Sequence, residues 1–269
     1  GEYGGLEGLV GSLEVVQADP DHAASSEGAD AIIGCLRNLV NRSPLNEQRV
    51  LKTEFFPLLI AVMKAHSGVP SIQEGAAGVV RSLAYRHAQL FGKVEVVELL
   101  LASGRRFMEN PVLLETVAGA CRNLASYSVN EDRIIDQAGI GWLLDAMKAH
   151  PDNIGVQRAC VACLWNLVCN EASVTKIPAE RCVRLLVSTM RTHMSSAPLA
   201  EATCGTLGNL AVTAAIANVI VAHGGAEMVR LAAQEHGESA RVQEAAAVVL
   251  QRLAPAIKAH KLTGDAGEG

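Results

Sequence analysis

Aromatic residues are scarce in this chain of 269 residues, in which Phe, Trp and Tyr together make up 3% of the sequence. Hydrophobic residues still reach 49%, so the core has to be built mainly from aliphatic side chains. Strand-rich proteins depend on aromatic and β-branched residues, whereas Leu and Ala favour helices. The composition therefore predicts a helical protein, and a chain of this length can bury a large core.

Long apolar runs and an excess of positive charge are also absent. No apolar run reaches the roughly 18–20 residues that a membrane-spanning helix needs, so we expect no membrane span, while an anchor N-terminal to Gly1 stays open. The formal net charge of −5 argues against nucleic-acid binding, which usually requires a basic surface. Seven cysteines, most of them inside apolar helical patterns, suit a reducing compartment. We expect a cytoplasmic protein, with the cytosolic face of an organelle as one option.

Motifs of common enzymes and metal sites are missing as well. The sequence contains no phosphate-binding glycine loop, nucleophile elbow or H-E-x-x-H string. The pair Cys160 and Cys163 resembles half of a zinc site, but no second pair with this spacing exists. Cys35 and Cys163 share a repeat position that is Val79 or Val249 elsewhere, which is typical of a core position. We therefore predict no catalytic residue, no metal and no cofactor.

A short string recurs along the chain at an interval of about 43 residues. The copies are CLRNLV (35–40), ACRNLA (120–125), CLWNLV (163–168) and TLGNLA (206–211), with the degenerate forms VRSLAY (80–85) and LQRLAP (250–255). What we call the asparagine position holds, in chain order, Asn38, Ser82, Asn123, Asn166, Asn209 and Arg252. The steps between them are 44, 41, 43, 43 and 43 residues, which indicates a repeat protein.

Histidine follows the same interval. Sixteen residues before the asparagine position lie His22, His66, Phe107, His150, His193 and His236. Evenly spaced imidazoles suggest metal ligands, but neighbouring helix layers are about 10 Å apart, which is too far for bonds of about 2 Å to one ion. We interpret the histidines as structural residues that end a helix, where an imidazole can cap carbonyl groups and meet the negative end of the helix dipole.

Each repeat reads as a short first helix followed by a longer second and third helix. In the fourth repeat, residues 130–139 predict the first helix, 140–150 the amphipathic second helix, and 155–170 an almost wholly apolar third helix. The predicted repeats span 5–41, 42–85, 86–126, 127–169, 170–212 and 213–255, and the first lacks its short helix. We expect a single domain over residues 1–261 and a disordered tail over 262–269.

Three helices in about 43 residues resemble the armadillo-repeat family, which includes the β-catenin and importin-α types. HEAT repeats are the only serious alternative by length. The resemblance covers residues 5–255 and implies an all-α, right-handed superhelical solenoid of about six repeats. It also implies a non-enzymatic scaffold or adaptor whose third helices line a concave groove for a partner helix or extended segment. An armadillo-only organelle-tethering adaptor is one option; a nuclear transport-type receptor and an exchange or folding cofactor for another protein are alternatives.

The resemblance assigns partner binding to two positions of the third helices. The family's groove asparagine corresponds to Asn38, Asn123, Asn166 and Asn209. Their amides can pair with successive peptide units of a partner, or each can bond its neighbouring repeat. One residue earlier, at what we call the preceding position, stand Arg37, Arg81, Arg122, Trp165, Gly208 and Gln251. The three arginines favour an acidic protein partner and Trp165 is a candidate anchor; the alternatives are solvated arginines and a packed indole.

Two further repeat positions of the third helices affect the expected shape and charge of the groove. Four residues before the asparagine position, where importin-α and β-catenin types often carry Trp, this chain has Gly34, Gly78, Gly119, Ala162, Gly205 and Val248. Such glycines indicate either tight packing of adjacent third helices or a smooth floor for a partner helix, and the missing tryptophans argue against binding of nuclear localisation signals. Four residues earlier still are Asp30, Glu74, Glu115, Arg158, Glu201 and Glu244. The five acids in this set form an acidic groove edge or stabilise the helix N-termini.

Overall fold

The computed structural model describes residues 5–17 and 23–265. Within these ranges the chain consists of helices joined by short turns, and no strand is present. The helices form two compact units, Gly1–Trp142 and Leu143–Gly269, called unit 1 and unit 2. No helix in the described ranges is both long enough and apolar enough to cross a membrane.

Unit 1 contains three third helices that pack side by side. Its elements are α1 (Gly5–Gln17), α2 (Ala23–Val40), α3 (Pro44–Val50), α4 (Phe55–Ala65), α5 (Pro70–His87), a 3₁₀ helix (Ala88–Lys93), α6 (Val96–Arg106), α7 (Pro111–Leu124), α8 (Ser128–Asp136) and the start of α9 (Gly139–Ala149). The third helices α2, α5 and α7 are neighbours in that order. The 3₁₀ helix stands where the first helix of the third repeat is predicted.

Unit 2 repeats the same order of short and long helices. It contains the rest of α9 and then α10 (Ile154–Leu167), α11 (Glu171–Val174), α12 (Ala179–Thr192), α13 (Ala197–Leu210), α14 (Ala214–Ala222), α15 (Gly225–Glu235) and α16 (Ala240–Asp265). The third helices α10, α13 and α16 again pack side by side. The three helices predicted for the fourth repeat are confirmed, with boundaries that differ by one to three residues.

The core is aliphatic, as the composition predicts. The leucine that follows the asparagine position is fully buried in later copies, for example Leu83, Leu124 and Leu210, and burying such a side chain stabilises the fold by roughly 1.5–3 kcal/mol. Leu39, in the first copy, is 37% exposed. Cys35 is exposed as well, so its predicted core position is wrong. The reason is that α2 has a neighbouring third helix on one side only among the described residues.

Local signals at the helix starts explain why the second and third helices separate. α7 begins with Pro111 directly after Asn110, whose side-chain oxygen accepts hydrogen bonds from Val112 N and Leu113 N at 3.1 Å. A side-chain cap satisfies backbone N–H groups that have no partner inside the helix, and proline fits the first turn because it lacks an N–H. In unit 2, Asn153 caps α10 in the same way.

Histidine ends the second helices, as the sequence predicts. His66, His193 and His236 are the residues at which α4, α12 and α15 end, and His150 directly follows α9, while His22 lies outside the described residues. The rings of two of them bond a carbonyl group of another repeat and do not cap their own helices. In unit 2, His193 Nε2 donates to Pro151 O at 2.8 Å and His236 Nε2 donates to Met194 O at 2.7 Å, so each imidazole bonds the repeat before it.

Glutamine provides the C-terminal caps that the histidines were expected to form. The Nε2 atom of Gln73 donates to Met63 O at 2.9 Å and to His66 O at 3.1 Å. Gln157 donates to Met147 O and His150 O at 2.8 and 2.9 Å, and Gln243 bonds the end of α15 in the same manner. Each glutamine follows its histidine by seven residues, a spacing that is visible in the sequence.

The last helix extends further than the sequence suggests. α16 includes Pro255 and continues to Asp265, so residues 262–265 are helical where a tail is predicted, and residues 266–269 lie outside the described ranges. Lys258 and Ala259 are good helix formers and carry the helix past the proline. The single domain over 1–261, the count of six repeats and the right-handed twist stay predictions.

Candidate partner-binding site

The preceding position presents side chains that are at least partly exposed. In unit 1 the Arg37 side chain is 43% exposed, and Arg81 and Arg122 are exposed. In unit 2 the indole of Trp165 is half-buried. All four belong to third helices, so the helix order of each unit places equivalent side chains one repeat apart.

The asparagine position makes bonds between repeats where its partners are known. Asn123 Nδ2 donates to Arg81 O at 2.8 Å in unit 1, and Asn209 Nδ2 donates to Cys169 Sγ at 3.5 Å in unit 2. Asn38 is exposed and Asn166 is half-buried. For Asn123 the structure therefore shows the bond to a neighbouring repeat that the sequence left as an alternative. An amide also has a second N–H and an oxygen, so this bond is compatible with partner binding.

One acidic residue is tied directly to the arginines. Arg37 Nη1 lies 3.0 Å from Glu74 Oε1, a carboxylate four residues before Gly78 on the next third helix. The acids and arginines were expected to form separate edges of a groove, and this pair joins them instead. The salt bridge orients Arg37 and reduces the net positive charge at its position.

The glycines lie directly beneath the side chains of the preceding position. A Cβ atom built on Gly78 would lie 2.7 Å from Arg37 Nε, and one built on Gly119 would lie 3.0 Å from Arg81 Nε. These contacts join adjacent third helices, which is the close packing that the sequence left as one alternative, and they are made by a side chain of the preceding repeat. Each glycine accommodates a side chain from the repeat before it, and this side chain covers the glycine from solvent.

The same contact occurs in unit 2 with an aromatic residue. A Cβ atom built on Gly205 would lie 2.5 Å from Trp165 Cε2. In the next pair the sizes are reversed, because the preceding position is Gly208 and the glycine position is Val248. A Cβ atom at Gly208 would lie 3.4 Å from Val249 Cγ2 and 3.9 Å from Val248 Cγ1, which is ordinary contact.

Five of the seven thiols are buried, and three of these have a raised pKa. Burial raises the pKa of the Cys121, Cys182 and Cys204 thiols to about 12, so they stay protonated at neutral pH. Cys160 and Cys163 are also buried. Over residues 5–17 and 23–265, no group of three or more His, Cys, Asp or Glu side chains is arranged to hold a metal ion.

Comparison with known sequences gives a partial match. No protein-family profile matches the chain. Protein aardvark from Dictyostelium discoideum is 30% identical over 137 residues, which is 45% of this chain and 18% of that protein. The chain therefore spans less than a fifth of that relative's length.

Comparison with solved structures gives matches over almost the whole chain. A structure from a study of the phosphorylation switch that controls the interaction between cadherin and β-catenin has a TM-score of 0.79 and 19% identity, covering 94% of this chain and 45% of that one. A designed armadillo repeat protein has a TM-score of 0.73 at 12% identity, covering 90% of this chain and 99% of the design. Another design, in complex with the peptide (KR)4, has a TM-score of 0.71 at 13% identity and covers 90% of this chain and 99% of the design. This protein has the armadillo-repeat fold, an all-α fold of the solenoid class.

Proposed function

We propose that this protein is a non-enzymatic scaffold or adaptor that binds a helix or an extended segment of a partner protein on its third helices. The observation that carries the proposal is that three side chains at the preceding position, each at least partly exposed, lie over a glycine of the next repeat: Arg37 and Arg81 in unit 1 and Trp165 in unit 2. Two structural neighbours support it, since one comes from work on the binding of cadherin to β-catenin and another holds a peptide.

The surface of unit 1 favours a partner with acidic character. Arg37, Arg81 and Arg122 belong to successive third helices, and a guanidinium binds carboxylates through two parallel hydrogen bonds. The salt bridge to Glu74 offsets part of this charge at Arg37. The designed neighbour binds a basic peptide, (KR)4, so the sign of the preferred ligand separates this protein from that design.

In unit 2 the candidate contacts are different. Trp165 offers an aromatic anchor, a residue type that often dominates binding energy. Asn166 and Asn209 occupy the asparagine position on either side of the Trp165–Gly205 contact, and we propose that they bond the backbone of a partner segment. Asn38 and Asn123 have the corresponding role in unit 1.

A pair of peptides of opposite charge tests the proposal. Fluorescence anisotropy compares the labelled peptide (KR)4 with a peptide of the same length that alternates Asp and Glu. We expect the acidic peptide to bind more tightly. Charge reversal in the variant R37E/R81E/R122E should weaken its binding by about tenfold to a hundredfold, because three favourable contacts become repulsive.

The control variant K52E/K93E/K148E changes the net charge by the same amount at exposed lysines outside the third helices. It should keep most of the affinity, and circular dichroism should show that both variants remain folded. Equal losses in the two triple variants, or a preference for (KR)4, would contradict the groove assignment.

Affinity capture from the native cell, with wild type compared with R37E/R81E/R122E, then identifies the natural partner. We propose a cytoplasmic adaptor, for which organelle tethering is one role. Imaging of the tagged protein decides whether it sits at the cytosolic face of an organelle.

A further inference from the structure

We propose that Gly78, Gly119 and Gly205 are positioning residues that determine where Arg37, Arg81 and Trp165 lie on the third helices. The inference rests on the proposed function in one respect, since it concerns side chains that we assign to partner binding. Its geometric part stands on the contacts alone and is tested without any partner.

In unit 1, consecutive atoms of each arginine run along the backbone at the glycine. From a Cβ atom built on Gly119, Arg81 Nε, Cδ and Cζ lie at 3.0, 3.1 and 3.2 Å. At Gly78 the distances to Arg37 Nε, Cδ and Cγ are 2.7, 2.8 and 3.2 Å. Cβ atoms essentially never approach another heavy atom closer than 3.0 Å. A side chain at Gly78 and the observed position of Arg37 therefore exclude each other, and at Gly119 the arginine has to give way.

In unit 2, the indole edge makes the closest contact. Trp165 Cε2, Cζ2 and Nε1 lie 2.5, 2.7 and 2.9 Å from a Cβ atom built on Gly205. The ring is rigid, so it has to move as a whole if residue 205 gains a methyl group. The indole is half-buried, and we expect it to move outwards, towards solvent.

The reversed pair, Gly208 and Val248, also combines one small and one larger residue. Where the preceding position is Gly208, the opposite residue is Val248, which is 47% exposed. One large and one small residue thus meet in each pair described within the two units. The larger residue is the one that a partner meets.

A side chain that is already ordered binds a partner more tightly than a mobile one, because no further rotamer freedom is lost when the partner binds. The glycines therefore affect affinity without contacting the partner. Replacing one of them by alanine leaves the arginine or tryptophan in the chain and displaces it from its place.

Tryptophan fluorescence tests the geometry in the absence of a ligand. G205A and G208A change two glycines of the same helix, α13, but only Gly205 lies against the indole. We expect a red-shifted emission and stronger acrylamide quenching in G205A, and wild-type values in G208A. Trp142, which is 2% exposed, supplies a protected background in all three proteins. Equal spectra and equal quenching in G205A and wild type would overturn the proposal.

Peptide binding tests the consequence in unit 1. G119A should lower the affinity for the acidic peptide by roughly threefold to tenfold. G34A is the matched control, because Gly34 holds the same repeat position in α2 and a Cβ atom there would meet nothing within 4 Å. Alanine favours helices over glycine, so neither variant should unfold at a lower temperature.

A fall in affinity without a fall in melting temperature is the signature of a positioning role, since a purely structural role would change stability. Unchanged affinity in G119A, measured against a wild type that binds, would overturn the role of Gly119. If the wild type binds neither peptide, the proposed function fails while the fluorescence result still decides whether Gly205 positions Trp165.

Discussion

Units 1 and 2 share a scaffold and differ in the chemistry that the scaffold presents. In unit 1 the side chains over the glycines are arginines, and one of them is paired with Glu74. In unit 2 the corresponding residue is Trp165, and the next pair places glycine opposite valine. The difference teaches that the repeat constrains the combined size of two residues and leaves their charge and polarity free.

The largest expected effect concerns the helix scaffold that the two units share, and substitutions of the glutamine caps test it. Q157A in unit 2 and Q73A in unit 1 each remove two side-chain hydrogen bonds to carbonyl groups at the end of a second helix. His150 O and His66 O keep a backbone donor, from Asn153 N and Val69 N, whereas Met147 O and Met63 O lose the glutamine donor, and the loss should cost about 1–3 kcal/mol of unfolding free energy. Q157A should cost more, because Gln157 Oε1 also accepts a 2.6 Å hydrogen bond from the buried Thr189. Urea unfolding measures both.

The control for these variants is Q48A, since Gln48 is exposed in α3 and should tolerate alanine within about 0.5 kcal/mol. If Q73A and Q157A were as mild as Q48A, the caps would contribute nothing to either unit. The shared scaffold would then have to depend on other contacts.

The next largest effect is expected when a residue type found in unit 2 replaces an arginine of unit 1. R81W places a tryptophan over Gly119, as Trp165 lies over Gly205 in unit 2. The backbone at Gly119 already contacts a long side chain, that of Arg81. We expect the variant to fold and to lose about tenfold in affinity for the acidic peptide, as one charge-assisted pair is worth about 1.5–3 kcal/mol at most.

R81K is the companion variant, because it keeps the positive charge but not the planar guanidinium. It should bind with an affinity between wild type and R81W in the same anisotropy assay. Wild-type affinity in R81W would show that charge at this position does not distinguish the two units.

The smallest effect concerns the salt bridge between Arg37 and Glu74. E74Q removes the carboxylate beside Arg37 and should destabilise the protein by less than about 1 kcal/mol, since both groups are partly exposed. The acidic peptide should bind about twofold to fivefold more tightly, because Arg37 regains its full charge.

Raising the salt concentration should reduce this gain, since exposed charges are screened. S71A, a change at a nearby exposed residue of α5, serves as the control for the peptide assay. Weaker peptide binding by E74Q would mean that Glu74 matters mainly as the group that orients Arg37.

Much of the fold could be predicted from the sequence because its causes are local. Aliphatic residues at helical spacing act within one repeat, and so do turn and cap residues such as Pro111 and Asn153 at the starts of third helices. They place the three helices of the fourth repeat within three residues of the observed bounds. The prediction for Cys35 failed because burial depends on a neighbouring helix, and α2 has such a neighbour on one side only.

The candidate site was less predictable, because its contacts join residues about one repeat apart. The recurring glycines indicated close packing of adjacent third helices or a floor for a partner helix, but Arg81 and Gly119 are 38 residues apart and meet only after the helices stack. The bond from Asn123 to Arg81 O depends on the same stacking. By contrast, the seven-residue spacing from histidine to glutamine lies within one repeat and was available from the sequence.

The pairing of large and small residues restricts the order in which this surface can change during evolution. A valine that arises first at residue 119 collides with Arg81, whereas one that arises after Arg81 has become glycine enters a space like that beside Gly208. The two substitutions are therefore epistatic, and the route that begins at the preceding position passes through no crowded intermediate. Ligand preference in such a protein changes most easily by losing a contact first and gaining a new one from the next repeat afterwards.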